Sequence, residues 1–170
     1  MHGYLLLTVP SCNQPISPER YFKKMEFKSK FFNELTVREL YGIVQARTQI
    51  FLLEQNIICQ DFDGVDCDSL HCFLECDGKV IAYLRAYRAR DGAIKIGRVL
   101  SLTHGIGHGT RLMKEAIPII QEKFDCKQIE LDAQKTAEDF YKRLGFETVS
   151  PVFMEEGLPH VKMVLRSTGG

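Results

Sequence analysis

Lys95-Ile-Gly-Arg-Val-Leu-Ser-Leu-Thr-His-Gly-Ile-Gly-His-Gly-Thr-Arg-Leu-Met113 reads as a strand, a glycine-rich turn and the first turn of an amphipathic helix. Gly105, Gly107 and Gly109 alternate where strand gives way to helix. Glycine admits positive φ and close backbone approach, so such a turn aims several free N–H groups at one anion. The helix that follows adds its own unpaired amides and positive dipole end. In outline this is a phosphate cradle, and its surroundings decide which phosphate ligand it holds.

Upstream of the turn the chain is β. His71 to Cys76 and Lys79 to Tyr87 flank Asp77-Gly78, a two-residue hairpin signal, and Asp91-Gly92 marks a second turn before the strand that leads into the glycines. These three strands make an antiparallel meander. Downstream, Leu112, Met113, Ala116, Ile117, Ile120 and Phe124 form the apolar stripe of a long helix, which Pro118 is expected to kink. Gln128 to Ala133 is the next strand, so strand, helix and strand imply a parallel right-handed crossover. Thr136 to Leu144 reads as a short helix closed by Gly145. Phe146 to Val149 and Val161 to Leu165 read as final strands, separated by Pro151 to His160. Nearer the N-terminus, Met25 opens an alternating strand, and Thr36 with Glu39 spells a capping box. Leu40, Ile43, Val44, Ile50, Phe51 and Leu53 then carry helical spacing, read as two helices broken near Thr48. The fold class is α/β (mixed α+β), its antiparallel first half meeting a parallel pair at the glycine turn.

At 170 residues the chain has room for one domain, read over 25–168. Pro10, Pro15 and Pro18 break any pattern before it, so residues 1–24 are read as an N-terminal extension. Lys plus Arg and Asp plus Glu both number 22, which leaves no bulk field for nucleic acid or an anionic membrane. No apolar run approaches the ~20 residues of a membrane span. Tyr4 to Val9 is too short for a signal core, so a cytoplasmic protein is expected. The six cysteines, Cys12, Cys59, Cys67, Cys72, Cys76 and Cys126, are expected as reduced thiols. Cys67, Cys72, Cys76 and His71 lack C-x2-C spacing, and no metal is expected. Gln55 to Asp68 has an acidic flavour but misses the glycine and glutamate of a calcium loop, and reads as a solvated loop beside a pocket.

No Gly-Lys-Ser/Thr follows the glycines, which excludes a Walker P-loop. A dinucleotide site is a nearer rival, with Asp132 roughly where a ribose-binding acid belongs, but the spacing is G-x-G-x-G and a meander precedes it. The run His104-Gly-Ile-Gly-His-Gly109 resembles the R/Q-x-x-G-x-G/A signature of the GNAT family of N-acetyltransferases, and Phe140-Tyr-Lys-Arg-Leu-Gly-Phe146 resembles its second hallmark. Glu54-Gln-Asn56, Gln60-Asp-x-Asp-Gly64, Ile96-Gly-Arg-Val99 and Glu156-Gly-Leu-Pro-His160 look like its ElaA-like branch. The resemblance covers about Phe27 to Arg166, and departs from the signature at His104, where Arg or Gln is usual.

The resemblance implies a GNAT-type sheet of about six to seven strands with a splayed parallel pair and flanking helices. It implies an acetyl-CoA-dependent N-acetyltransferase working by direct ternary-complex transfer. The alternative is a catalytically inactive CoA-binding or sensor domain on the same fold. The implied donor grip is Val99, Leu100, Ser101, His104, Gly105, Ile106, Gly107, His108, Gly109 and Thr110, and Tyr141 matches the position of the general acid. A phenol with a pKa near ~10 carries its proton at neutral pH, as a donor to a thiolate must. Glu54, Asp63, His71, Arg98 and His160 are candidates for the base or for holding substrate. The acceptor is a small-molecule or lysine amine, the acidic loop leaning toward a cation, and pairing into a homodimer through sheet edges or exchanged terminal strands is open.

Overall fold

The computed structural model describes residues 24–167; the extension read over 1–24 therefore lies, up to residue 23, outside the described residues. Strands β1 (Met25–Phe31), β2 (Leu70–Cys76), β3 (Lys79–Arg88) and β4 (Ile94–Ser101) form an antiparallel meander. The β2–β3 turn takes positive φ at both Asp77 (52°) and Gly78 (74°), as a two-residue hairpin requires. Helix α2 (His108–Phe124) then crosses over to β5 (Gln128–Gln134), which runs parallel to β4. A short 3-10 turn (Lys135–Ala137) leads into helix α3 (Glu138–Lys142), and β6 (Glu147–Thr148), β7 (Phe153–Glu155) and β8 (Leu158–Arg166) complete the sheet. The order is β1-β2-β3-β4-β5-β8-β6, with β7 also paired to β8.

Among the described residues there are eight strands where six to seven were expected. The extra one is β7, inside the Pro151 to His160 segment read as a connection. It pairs with β8 through a tight hairpin whose Glu156 and Gly157 both take positive φ, at 47° and 77°. Two-residue turns of this kind favour Asn-Gly or Asp-Gly, and Glu-Gly gave no such signal. The second helical segment is also corrected. Helix α1 (Val37–Arg47) does not break near Thr48 but continues without a gap as π-helical turns over Thr48–Glu54.

Two apolar layers sandwich the sheet. On one face Leu112, Met113, Ala116 and Ile120 of α2, all fully enclosed, pack on Ala82, Leu84, Ile96, Ile129 and Leu131. Each large side chain enclosed this way contributes roughly 1.5–3 kcal/mol of transfer free energy. On the other face Ile43, Ala46 and Ile50 pack on Phe73, Tyr83 and Leu100. Residue parity along the strands assigns each side chain to one layer, so Asp132 and Gln134 share the α1 face with Arg85 and Tyr87.

Helix α1 begins with the anticipated capping box: Thr36 Oγ1 accepts from the Glu39 amide, and Glu39 Oε2 accepts from the Thr36 amide at 2.9 Å. Burial opposes the Glu39 charge, but hydrogen bonds from Lys30, Thr36 and Lys28 outweigh it and hold its carboxyl down at about 2. The folded pKa lies below the unfolded value near ~4.3, so this stabilisation is present above that value and is lost as pH falls toward 2. Glu39→Gln is expected to lower stability at pH 7 and to flatten the acid limb between about pH 4.5 and 2, as measured by denaturant midpoints across that range.

Candidate active site

Strands β4 and β5 share the register pair Lys95–Glu130 and then part. The opening has a cause in β4. Opposite Leu84 the register shifts, so that Arg98 and Val99 face one β3 residue, and Arg98 sits at φ 55°. This is a β-bulge, which bends a strand and re-aims its side chains. A positive φ is unfavourable for arginine, and the guanidinium offsets the strain by pairing with Asp61, Nε to Oδ1 at 2.6 Å. Between the diverging strands lies a cavity of about 280 Å³, walled by Gly97, Arg98 and Val99 on one side and Leu131, Asp132 and Gln134 on the other.

One wall of that cavity is the 55–68 loop, which is mostly exposed and lies beside the pocket as expected, but whose acid groups are for the most part paired. Three arginines pair with three of its four aspartates, Asp61, Asp63 and Asp66. Arg47 donates to Asp61 at 2.9 Å and to Asp66 at 2.7 Å; Arg85 grips Asp63 through two bonds of 2.8 and 2.6 Å and also reaches Asp66 at 3.0 Å. Arg47 and Arg85 are 2 and 3 % exposed, so these are enclosed pairs whose loss leaves charge without a partner. The loop's charge therefore gives no support to a cationic acceptor.

The network also decides two of the candidate bases. Hydrogen bonds from Arg85 hold the Asp63 carboxyl down at about 2, leaving it too weak a base to take a proton from an amine. His71 is fully enclosed, with Nδ1 on the Tyr83 hydroxyl and Nε2 on the Asp66 carbonyl, both at 2.9 Å. Burial pushes its pKa down, and it packs away from the cavity as a structural side chain. The sequence could not separate these roles, because the arginine partners lie 19 and more residues from the aspartates they share or on another strand.

His160 and Tyr141 do line the cavity, together with Arg98 and Val99. His160 Nδ1 donates to the Leu158 carbonyl at 2.9 Å, which leaves Nε2 as the lone-pair nitrogen of the neutral ring, and Phe153 stacks on it. Glu155 lies 3.9 Å from that Nε2. Tyr141 is 7 % exposed, its ring edge-on to Phe140 and Phe146 in the α2-side core. Among the described residues its hydroxyl has no hydrogen-bond partner, and it opens onto the cavity. Burial pushes its pKa up, so the phenol holds its proton.

The glycine turn lies at the same end of the parallel pair. Gly105 and Gly107 take φ of 77° and 87°, and a Cβ on either would meet nothing within 4 Å, so their backbone faces open space. Gly109 is different: a Cβ there would lie 3.5 Å from the Phe140 ring, so the helix start packs close against that aromatic. No side chain caps α2 at Gly107, no acidic residue occupies the first turn, and the amides of His108, Gly109 and Thr110 are left for a ligand. Ile106 is exposed on the turn, and Ser101 donates to the Thr103 carbonyl at 2.9 Å. Leu100 side chain is core, while the β4 backbone beyond Lys95 is left without a register partner on the β5 side. His104 points to Glu54, Nε2 to Oε1 at 2.8 Å, both exposed, so these two candidates meet at the turn and not in the cavity. These features fit a ligand with a phosphate-bearing head and an extended amide arm.

Three enclosed polar atoms lack partners among the described residues: Arg85 Nε, His108 Nδ1 and Asp132 Oδ1. Two belong to cavity-lining residues and one to the first residue of α2. The sequence reading missed Lys95, Arg85 and Asp132 as members of the site. A signal for Asp132 was present, since it alternates with Ile129, Leu131 and Ala133 and so must face away from the α2 core.

An acetyltransferase (GNAT) domain profile matches residues 58–167. A UPF0039 protein of Schizosaccharomyces pombe is 34 % identical over 145 residues, covering 83 % of this chain and 97 % of its own. The crystal structure of Escherichia coli ElaA superposes with a TM-score of 0.78 at 31 % identity, over 84 % of this chain and all of that one. An acyl-CoA N-acyltransferase from Pseudomonas aeruginosa gives 0.77 at 33 % identity, over 82 and 99 %. The sheet parted at its parallel pair, the uncapped glycine turn and these likenesses converge: the chain belongs to the GNAT acetyltransferase family, on its ElaA-like branch.

Proposed function

We propose that the protein transfers an acetyl group from acetyl-CoA directly to a primary amine. The observation that carries this reading is the cavity between β4 and β5, because it brings a protonated phenol and an imidazole lone pair to one opening beside an uncapped helix N-terminus. Bound acetyl-CoA supplies an activated acetyl group as a thioester. Gly105 to Thr110 offer backbone amides to its pyrophosphate, Ser101 and His104 flank them, and the unpaired edge of β4 accepts the pantetheine arm as an added strand. The Val99–Leu100 backbone at the bulge donates to the thioester oxygen, where negative charge develops. His160 Nε2 takes the proton that the amine must lose as its nitrogen bonds to the acetyl carbon. Tyr141 gives its proton to the sulfur as the carbon–sulfur bond breaks, so one proton leaves the amine and one reaches the thiolate. No cysteine is needed: Cys59 lines the cavity, but transfer through it would add a second acyl step. Five free thiols among the described residues accord with a cytoplasmic setting.

Release of free CoA thiol across a panel of primary amines tests the reading, with His160→Gln beside the wild type. The variant is expected to lose about 10²-fold in kcat near neutral pH and to recover as pH rises, because more of the amine is then already free. Stabilisation against heat by NAD but not by acetyl-CoA would sink the proposal. Binding of CoA without turnover on any amine would mark the protein as a sensor.

A further inference from the structure

The charges that line the cavity are not balanced in their commitments. Arg98 and Arg85 face it, but Arg98 is paired with Asp61, and Arg85 with Asp63 and Asp66. The orphaned Arg85 Nε belongs to a guanidinium whose other nitrogens two carboxylates already hold, so it offers no spare charge to an anion. The carboxylates of Asp132, Glu155 and Glu156 are less committed. Asp132 Oδ2 has a long contact of 3.5 Å with Lys95, and Oδ1 is enclosed with no donor among the described residues. Glu155 has the His160 ring at 3.9 Å, and Glu156 has no ion-pair partner among the described residues. A carboxylate with one oxygen lacking a donor and the other held only at 3.5 Å is under-satisfied, at a cost in free energy. Because the Asp132 side chain keeps 26 % of its surface exposed, a charged donor from a ligand can reach it at Oδ2 and offset that cost.

Geometry ties Asp132 to the proposed base. On β5 and β8, Asp132 opposes Lys162 and Gln134 opposes His160, so Asp132 and His160 are diagonal neighbours on the same face. Phe51, Ile57 and Tyr87 supply apolar wall beside them, suited to a short alkyl stem. We propose that Asp132 is the specificity residue that holds the acceptor's primary alkylammonium group, selecting amines with no carboxylate next to the nitrogen. This rests on the transfer reading above, though the binding it asserts can be measured without turnover. Lys95 is its internal competitor, occupying Oδ2 until the ligand's cation arrives.

The test uses the full chain saturated with CoA. Calorimetric affinity for 1,4-diaminobutane and for a short N-acetylated lysine peptide is compared in the wild type, Asp132→Asn and Lys95→Met, alongside steady-state kinetics with acetyl-CoA. Asp132→Asn is expected to weaken binding about tenfold or more and to raise the amine KM more than it lowers kcat, with the acetyl-CoA KM unchanged. Lys95→Met is expected to tighten amine binding several-fold. The ligand held more tightly, diamine or peptide, identifies the source of the ammonium. Equal affinity in the wild type and Asp132→Asn overturns the assignment, as does failure of the wild type to bind either amine. Asp132-dependent binding without turnover would uphold the assignment while removing the transfer reading.

Discussion

Tyr141→Phe should lower kcat about 10²–10³-fold while leaving the acetyl-CoA KM and the melting temperature close to wild type. The substitution removes one hydroxyl and keeps the ring, whose edge-on contacts with Phe140 and Phe146, at 5.0 and 5.8 Å between centroids, belong to the core. That hydroxyl has no partner within the described residues, so its loss leaves no enclosed polar group stranded. What it should remove is a proton held ready for the departing thiolate, an effect worth about 10²–10⁴ in rate when general acids are deleted. Burial raises the phenol's pKa above its ordinary value near ~10, so Tyr141 should impose no alkaline limb on kcat across the neutral range. Single-turnover measurements with the best amine would separate this step from product release. A kcat within threefold of wild type would transfer the acid role to water or to another group.

Asp66→Ala is expected to cost about 3–5 kcal/mol of folding stability, the range for breaking an enclosed ion pair on one side only. One oxygen of this carboxylate receives both Arg47 Nη1 at 2.7 Å and Arg85 Nη1 at 3.0 Å. Removing it leaves two guanidinium groups, 2 and 3 % exposed, that each keep one aspartate and lose the shared one. The His71 ring should stay, because it is held by the Asp66 backbone carbonyl and not by the side chain. Urea denaturation with an unchanged m-value would report the loss as a shift in midpoint. A cost below about 1 kcal/mol would mean that the arginine and aspartate pairs remaining in the cluster suffice without Asp66.

Most of the fold was legible because it is written in local chemistry. Asp77-Gly78 forces its turn through two positive φ angles, Thr36 and Glu39 close a capping box, and the α2 stripe repeats at helical spacing. These depend on neighbours within a few residues. The β7 hairpin escaped because Glu156-Gly157 is an uncommon turn pair, and the π-helical continuation past Arg47 escaped because its apolar spacing is close to that of an ordinary helix. Around the cavity, the position of the glycine turn and the placing of Tyr141 on a short helix were readable for the same local reason, each being part of a short motif. The partners of Asp63 and His71 were not readable, because Arg85 for the one and Tyr83 with the Asp66 carbonyl for the other are supplied by distant or enclosed groups.

By itself, then, the sequence determined the element order, the glycine turn at Gly105 to Gly109 and the family to which they belong, all set by backbone conformation and short-range periodicity. Tertiary structure alone decided which charges are free. It bulged β4 at Arg98, opened the cavity against β5, committed Arg47, Arg85 and Arg98 to Asp61, Asp63 and Asp66, and left Asp132 with an oxygen unanswered. The reason is that an ion pair depends on distance in space, and a carboxylate carries no local mark of whether an arginine from another strand will reach it.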